Sequence, residues 1–192
     1  MTTHYLDLTL LPDPEFSHAH LLGALVGKLH RALVQLRADD IGVSFPGHSL
    51  RPRTLGSVLR LHGPEAALTR LMTSDWLRGM RDHLRQGAIA PVPADAQHRV
   101  VQRRQFKTSA ERLRRRRMRR KGETAEQAAA AIPDSVERQP TLPFVQLRSA
   151  SSGQPFALFV EHGPLMVNPT PGSFNTYGLS LQATVPWFSP FL

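Results

Sequence analysis

The sequence predicts an α+β fold, and three observations lead to that prediction. Apolar and polar residues alternate over 4–11, which is typical of a strand with one buried face. Apolar residues then recur every three or four positions over 16–37, which predicts a long helix with one side in a core. Further along, 12 basic side chains and a single acidic one, Glu111, lie within residues 99–121. The chain therefore combines a sheet-forming start with a strongly cationic later stretch.

The first 93 residues are predicted to form one domain. After the strand and the helix, the patterns predict strand, strand, helix and strand, at 41–45, 57–61, 64–72 and 88–92. The order β-α-β-β-α-β is that of a ferredoxin-like domain, so we expect residues 1–93 to form one. Because the aromatic signature of RNA-reading sheets with this order is absent, we do not expect the sheet face to read bases.

A proline pair, Pro91 and Pro93, marks a boundary, and residues 94–192 are predicted to form a smaller α+β domain. Its arginine-rich helix is predicted to start at Thr108, because Thr108 and Glu111 have the spacing of a capping box. The other predicted elements are an extended segment at 98–106, a helix at 124–132 with Thr124 and Gln127 as its capping box, strands at 143–149 and 156–161, and short β elements at 165–167, 173–179 and 185–188.

Composition limits the classes of function. The chain has 192 residues and no cysteine, which excludes disulfides, thiolate zinc sites and a cysteine nucleophile. The net charge is +9 and the pI is near 11.3, which favours nucleic acid over an acidic small molecule as partner. The N-terminus lacks an export signal, and no apolar run approaches the ~20 residues of a membrane span. We therefore expect a cytoplasmic protein without a membrane segment.

The positive charge is concentrated in one stretch, because the chain outside residues 99–121 is slightly acidic. On a helix, five arginines of this stretch share one face: Arg112, Arg115, Arg116, Arg119 and Arg120. Such a helix repels itself and buries little, so it predicts a polyanion as its ligand. A solvated charge run or a targeting signal is the alternative interpretation.

The candidate for catalysis is His30, at the margin of the first helix's apolar stripe, where a histidine can titrate near neutral pH. A surface histidine without function is the alternative. Carboxylates do not cluster, and His18 and His20 lack a third ligand nearby, so metal-dependent hydrolysis is disfavoured and no cofactor is expected. RNA can be cut without a metal ion, because its own 2′-OH is the nucleophile once it is deprotonated and positioned.

Seven short motifs occur along the chain in a fixed order. They are His4-Tyr-Leu-Asp, Leu29-His30-Arg-Ala-Leu, Ile41-Gly-Val-Ser-Phe-Pro46, Glu111-Arg-Leu-Arg-Arg, Leu142-Pro-Phe-Val, Tyr177-Gly-Leu-Ser and Val185-Pro-Trp-Phe188. With this set, the chain resembles the CRISPR repeat-processing endoribonucleases of type I-F systems, the Csy-type members of the repeat endonuclease superfamily. The resemblance runs from His4 to Phe188. Arg117 departs from it, since an apolar residue is expected there, and this leaves the packing of the helix open.

The resemblance implies a specific activity. Members of the family bind a hairpin in precursor CRISPR RNA, cut it at the 3′ base of the stem without a metal ion, and leave a 2′,3′-cyclic phosphate. They keep the product and become part of an RNA-guided surveillance complex. The implied partners are the repeat hairpin and the other subunits of a type I-F complex. No small-molecule cofactor and no membrane are implied, and the protein is expected to be a monomer when free.

The resemblance also implies roles for single residues. His30 is the implied general base, Ser149 the residue that holds the 2′-OH, and Tyr177 the residue that orients the histidine and the substrate. The residues implied in RNA binding are Arg103 and Gln105 as readers of bases at the foot of the stem, Phe156 as a platform under the terminal base pair, Ser151 and Ser152 near the scissile phosphate, and Lys107, Arg112, Arg115, Arg116, Arg119 and Arg120 as contacts to the stem.

Residue types alone leave other interpretations open. The serines at 149, 151 and 152 are also typical turn formers. Phe156 and Tyr177 are equally typical of a core or a strand, and Arg103 could be one more phosphate contact. For the whole chain, the alternatives are a non-catalytic RNA-hairpin binder on the same scaffold and a general nucleic-acid protein, for instance a ribosomal or DNA-binding one.

Overall fold

The computed structural model describes residues 2–106, 110–136, 140–149 and 152–189. The chain divides into two compact units, one of residues 1–104 with 142–192 and one of residues 105–141. These units differ from the predicted segments 1–93 and 94–192, because most strands of the later segment belong to the same unit as the N-terminal elements. The α+β class is confirmed.

The described residues form helices and antiparallel strands. The helices are α1 (His18–Leu36), α2 (Glu65–Thr73), α3 (Ala110–Lys121) and α4 (Ala125–Ala131), with 3-10 turns at Arg81–His83 and Asp134–Val136. The strands are β1 (His4–Leu10), β2 (Gly42–Ser44), β3 (Ser49–Leu50), β4 (Arg53–Thr54), β5 (Val58–Gly63), β6 (Leu84–Gln86), β7 (Ala90–Pro91), β8 (Gln97–Arg104), β9 (Phe144–Arg148), β10 (Pro155–His162) and β11 (Thr184–Trp187). Over the described residues, none of the helices has the length and apolarity to span a bilayer.

Strand β1 and helix α1 form where the apolar patterns predict them. Leu6, Leu8 and Leu10 of β1 are at most 3% exposed, and the residues between them are partly exposed. Ser17 caps α1 by accepting a hydrogen bond from the His20 N–H, which satisfies one of the unpaired donors at the helix start. The leucines of the predicted stripe on α1 join the same core. Burial of each such side chain contributes about 1.5–3 kcal/mol to stability.

The N-terminal sheet has the order β2-β5-β1-β6, with β7 also paired to β1, and all pairs are antiparallel. The last strand is shorter than the predicted 88–92, and an additional strand, β6, precedes it. Between β6 and β7, the Gly87 N–H donates a hydrogen bond to the Asp7 carbonyl oxygen. A Cβ at position 87 would lie 3.3 Å from that oxygen, so this edge suits a residue without a side chain.

A buried ion pair attaches the end of the described chain to this sheet. Arg60 of β5 is 1% exposed and donates two hydrogen bonds to the carboxylate of Asp7, its neighbour across β1, at 2.7 and 2.8 Å. A third nitrogen donates to the Phe188 carbonyl oxygen at 3.0 Å, and the guanidinium lies over the rings of both Tyr5 and Phe188, which contact each other edge-to-face. Such complete pairing is required, because removing one partner of a buried pair leaves an uncompensated charge.

The C-terminal sheet has the order β11-β8-β10-β9 and is also antiparallel. Helix α1 packs on β9, and Gly23 permits the close approach. A Cβ at position 23 would lie 2.6 Å from the Gln146 carbonyl oxygen, closer than real Cβ contacts reach. This contact between an early helix and a late sheet places both in one unit.

The chain after β10 contains less strand than the alternation predicts. The predicted element at 165–167 is reduced to a single bridge between Met166 and His98, whereas that at 185–188 corresponds to β11. The prediction of a β element at 173–179 is wrong, because the backbone turns there. The Asn175 side chain accepts two backbone hydrogen bonds in this turn, and such local bonds compete with strand pairing.

The smaller unit contains α3 and α4. Thr124 and Gln127 form the predicted capping box at the start of α4, with hydrogen bonds of 3.2 and 3.0 Å. The capping box predicted for α3 includes Thr108, which lies outside the described residues.

Two arginines of α3 stabilise this unit internally. Arg114 donates to the Ile132 carbonyl oxygen at 2.8 Å and to the Asp134 carboxylate at 2.7 Å. Arg117 donates to both oxygens of Glu123, at 2.6 and 3.1 Å, and this hydrogen bond lowers the pKa of Glu123. The arginine that stands where an apolar residue was expected therefore packs as one half of an ion pair.

Candidate active site and nucleic-acid interface

His30 lies in the second half of α1 and is half-buried. Its Nδ1–H donates a hydrogen bond to the Thr176 carbonyl oxygen at 3.0 Å. The neutral ring therefore carries its lone pair on Nε2. The Tyr177 ring stacks on His30, with 4.1 Å between the ring centroids and 4° between the planes. These two contacts fix the ring plane and the nitrogen that can accept a proton.

The turn that contacts His30 is attached to the core at both ends. The Phe174 N–H donates to the Asp39 carbonyl oxygen, and the Val43 N–H donates to the Gly178 carbonyl oxygen, both at 2.8 Å. Gly178 has a φ of 71°, and a Cβ there would lie 2.5 Å from the side chain of Val43. Only glycine meets both demands, so position 178 contributes directly to the placement of Tyr177.

Ser149 follows β9 and begins a tight hairpin into β10. Its N–H donates to the Gln154 carbonyl oxygen, and its own carbonyl accepts from the Gly153 N–H, both at 2.9 Å. Its hydroxyl oxygen accepts from the N–H of Ser152 at 3.3 Å. Ser149 is thus a turn former, as one interpretation of the sequence has it. This is compatible with a role in substrate binding, because a hydroxyl both accepts and donates.

His30 and Ser149 both follow the contact between α1 and β9 along the chain. Along this contact, Gly23 lies against Gln146, and Gly27 lies against Leu147. His30 is three residues beyond Gly27, about 4.5 Å of helix rise. Ser149 is two residues beyond Leu147, about 6.6 Å of strand. The helix and the strand run in the same direction along this contact, so His30 and Ser149 both lie beyond the Gly27–Leu147 contact in that direction.

Arg103 and Phe156 lie together on the C-terminal sheet. The guanidinium of Arg103 is 5.8 Å from the centroid of the Phe156 ring, and its Nε is buried with no hydrogen-bond partner among the described residues. Phe156 and Tyr177 are both partly buried against the core, so the core interpretation also holds for each of them. Gln105 is exposed just after β8, and Ser152 is exposed in the hairpin. Lys107 and Ser151 lie outside the described residues.

The predicted arginine face of α3 is exposed. This holds for each of its members, Arg112, Arg115, Arg116, Arg119 and Arg120, whereas Arg114 and Arg117 on the other side are half-buried in ion pairs. The helix therefore separates half-buried arginines that stabilise the unit from arginines that are exposed at the surface. A row of exposed guanidinium groups suits a phosphate backbone.

Two other histidines in the same unit as His30 stack on each other and have a different environment. His48 and His162 stack with 3.7 Å between their centroids, and Trp187 lies 5.3 Å from each. Burial lowers the pKa of His162 to about 2, with further contributions from His48 and Arg99. Because this ring stays neutral, it packs as an uncharged aromatic group against His48 and Trp187. Among the described residues, no group of three or more histidine and acidic side chains is placed to hold a metal ion.

Residues 5–188 match the family described as "CRISPR-associated protein (Cas_Csy4)". The chain belongs to this family. A "CRISPR-associated endonuclease Cas6/Csy4" from Pseudomonas aeruginosa (strain UCBPP-PA14) is 51% identical over 185 residues, which cover 96% of this chain and 99% of the relative. A protein of the same name from Escherichia coli (strain UTI89 / UPEC) is 44% identical with the same coverage. The resemblance predicted from the motifs is confirmed.

The Cas_Csy4 match includes both units and every predicted site residue, since these lie between 30 and 177. The structure brings His30 and Tyr177 into contact, and likewise Arg103 and Phe156. The roles assigned to the single residues stay predictions.

Sequence reasoning named Tyr177 but missed two other residues that help to place His30. Thr176 acts through its backbone carbonyl, which no side-chain pattern reveals. Asn175 carries a usable signal, because an asparagine three residues before a glycine is typical of a turn. The alternation of residues 173–179 instead predicts a strand, and this conceals the turn.

Proposed function

We propose that this chain is an endoribonuclease that binds a hairpin in precursor CRISPR RNA and cuts it at the 3′ base of the stem. The observation that carries the proposal is the state of His30, whose Nδ1–H is bound to a backbone carbonyl and whose Nε2 is an acceptor. The family supports it, because relatives that are 51% and 44% identical are named CRISPR-associated endonucleases.

In the proposed reaction, Nε2 of His30 takes the proton of one ribose 2′-OH. The 2′ oxygen attacks the adjacent phosphorus, the bond from phosphorus to the 5′ oxygen breaks, and that oxygen leaves and is protonated. The products are a 2′,3′-cyclic phosphate and a 5′-hydroxyl. A positioned general base contributes about 10²–10⁴-fold to such a step. Alignment of the 2′ oxygen with the leaving oxygen supplies the rest, so the reaction is proposed to need no metal ion.

Ser149 and Tyr177 have supporting roles in this proposal. Ser149 donates a hydrogen bond from its hydroxyl to the 2′ oxygen and so holds that oxygen near His30. The position of both residues beyond the Gly27–Leu147 contact supports this role. Tyr177 keeps the imidazole plane constant through the stacked contact at 4.1 Å. Ser151 and Ser152 are proposed to lie near the scissile phosphate.

Two kinds of contact are proposed to hold the stem. Arg103 and Gln105 read base edges at its foot, and the exposure of Gln105 supports this role. Phe156 stacks under the terminal base pair. The exposed arginine face of α3, with Lys107, binds phosphates. The major groove of A-form RNA is deep and narrow, but a short stem leaves it open at both ends.

The proposal extends to the scaffold and to the partners. The strand order β2-β5-β1, with β6 and β7 on the other side of β1, supports a ferredoxin-like arrangement for the N-terminal sheet. The cleaved RNA is retained, and the other subunits of a type I-F surveillance complex are the protein partners. Before it binds RNA, the chain is proposed to be a cytoplasmic monomer.

The test uses the repeat hairpin encoded beside the gene, incubated with the protein in EDTA. We expect one cut and a 2′,3′-cyclic phosphate product. The same hairpin with a 2′-deoxyribose at the cut site should bind equally and stay intact. Cleavage of the deoxy hairpin contradicts the mechanism. Binding without any product identifies a hairpin-binding protein with an idle His30, and equal affinity for duplex DNA identifies a general nucleic-acid protein.

A further inference from the structure

Asn175 closes the turn that contacts His30. Its side-chain oxygen Oδ1 accepts hydrogen bonds from the Tyr177 N–H at 2.8 Å and from the Leu179 N–H at 3.2 Å. Its backbone N–H donates to the Leu179 carbonyl oxygen at 2.9 Å, and its carbonyl accepts from the Gly178 N–H at 2.8 Å. One residue therefore makes four hydrogen bonds in a turn of five residues.

The most consequential of these bonds is the one to the Tyr177 N–H. That N–H belongs to the same peptide group as the Thr176 carbonyl, and in a planar trans peptide the two point in opposite directions. By holding the N–H, Oδ1 of Asn175 sets the direction of the carbonyl oxygen that accepts from His30 Nδ1 at 3.0 Å. Hydrogen bonds at the two ends of one peptide group also polarise each other.

We propose that Asn175 is a positioning residue for His30. Its side chain holds the Thr176–Tyr177 peptide in the orientation that keeps the proton of His30 on Nδ1 and keeps the Tyr177 ring stacked on the imidazole. Asn175 does not contact the substrate in this scheme, and it acts through the Thr176 carbonyl. The inference rests on the proposed function of His30 as general base. Without the side chain, His30 also populates the tautomer in which Nε2 carries the proton and cannot accept another.

The rest of the turn is held independently of the Asn175 side chain. The backbone bonds from Phe174 to Asp39 and from Val43 to Gly178 lie on either side of it. Removal of the amide is therefore expected to release the Tyr177 and Leu179 N–H groups and to leave the path of the chain unchanged. This allows the positioning role to be separated from a general effect on folding.

The experiment compares three variants of the full-length chain. Asn175→Ala removes the acceptor, and Asn175→Ser restores an oxygen that can accept from a nearby backbone N–H. Asn168→Ala is the matched control, at an exposed asparagine in the same C-terminal segment. For Asn175→Ala, we expect single-turnover cleavage to fall on the order of 100-fold, as for a misplaced catalytic group. Affinity for the 2′-deoxy hairpin should stay within about twofold, since no ground-state contact is removed.

The serine variant should recover most of the rate, and the Asn168 control should match the wild-type chain. The second measurement is the ¹⁵N NMR spectrum of the His30 ring in the RNA-free protein. The wild-type chain should show the proton on Nδ1, and Asn175→Ala should show a mixture of both tautomers. An unchanged tautomer in Asn175→Ala, or a loss of rate matched by an equal loss of affinity, overturns the proposal.

The two proposals fail in different ways. If the wild-type chain cuts no hairpin RNA, the proposed function fails, while the ring spectrum still decides whether Asn175 sets the tautomer of His30. If the wild-type chain cuts RNA and the ring spectrum is the same in Asn175→Ala, only the positioning role fails.

Discussion

The two units of this chain present their functional side chains in opposite ways. In the larger unit, His30 is half-buried, its tautomer is set by a carbonyl, and its plane is set by a stacked ring. In the smaller unit, five arginines of α3 are exposed, and the ion pairs of Arg114 and Arg117 lie on the other side of the helix.

The difference follows from what each unit is proposed to do. Proton transfer from one 2′-OH needs a nitrogen at hydrogen-bond distance, and small displacements cost large factors in rate. Attraction to phosphates falls off gradually over a Debye length of about 8 Å, so long, exposed side chains suffice. Substitutions in the larger unit should therefore change rate or stability, whereas those on the arginine face should change affinity.

The largest expected effect is that of His30→Ala on the rate of cleavage. Loss of the general base should reduce single-turnover cleavage by about 10²–10⁴-fold. Affinity for the 2′-deoxy hairpin should change little, because binding is assigned to other residues. His18→Ala, at an exposed position of the same helix, is the matched control and should cleave normally. Equal losses of rate and affinity in His30→Ala would show that the two functions are not separate.

Next in size is the effect of Arg60→Met on stability. The substitution leaves the Asp7 carboxylate without its buried partner, and breaking such a pair costs about 3–5 kcal/mol. The control is Arg70→Met, since the pair of Arg70 with Asp40 is largely exposed and contributes about 0–1 kcal/mol. Urea denaturation measures both free energies of unfolding. Similar values for the two variants would refute the structural role of Arg60.

Gln105→Ala tests whether the chain recognises a single base pair of the RNA. Loss of one base-edge contact should reduce discrimination at a single base pair by about 1–3 kcal/mol. Binding to stems already altered at that pair should be unaffected. The measurement is a set of dissociation constants for the matched hairpin and for hairpins changed one pair at a time. A uniform loss across all stems would assign Gln105 to the phosphates.

Stability of the larger unit should depend on pH through His162. Burial lowers its pKa from 6.5 to about 2 in the folded state, so unfolding takes up a proton below pH 6.5. The contribution of neutral His162 to the free energy of unfolding should therefore be complete above pH 6.5. It should decrease as the pH falls toward 2, with a slope of up to about 1.4 kcal/mol per pH unit.

His162→Phe keeps an aromatic ring against His48 and should make that dependence shallower. Burial also lowers the pKa of His48, so part of the slope should remain. Urea denaturation at pH 7 and pH 5 measures the change, and an identical slope in the variant would exclude His162 as a source. The arginines of α3 keep their charge over this range, so their contribution to RNA affinity should not follow the same profile.

The smallest expected effect separates two adjacent arginines. Arg116→Ala should lower affinity for all stems and reduce the slope of log K against log salt by about 1, without loss of stability. Arg117→Ala removes the ion pair with Glu123, so it should destabilise the smaller unit and leave the salt slope unchanged. Salt-dependent binding and thermal unfolding of the two variants provide the measurement. The same salt slope in both variants would end the distinction between the two sides of α3.

Local patterns in the sequence are sufficient to predict the α+β class, the first strand and helix, the capping box of α4 and the arginine face of α3. Each depends on a local pattern, namely alternation, helical periodicity, or a side chain that bonds its own backbone. The candidate residues came from a set of motifs, and the family that those motifs indicate is confirmed.

The contacts that hold His30 and the division of the chain into compact units could not be predicted from the sequence, because both depend on tertiary contacts. The tautomer depends on Thr176, 146 positions away in the chain, and the packing of α1 on β9 depends on a glycine that allows close approach to Gln146. The buried pair of Arg60 and Asp7 likewise joins two neighbouring strands whose residues are 53 positions apart in the chain. Contacts between residues far apart in sequence leave no local pattern, because each partner is chosen by packing and not by its neighbours in the chain.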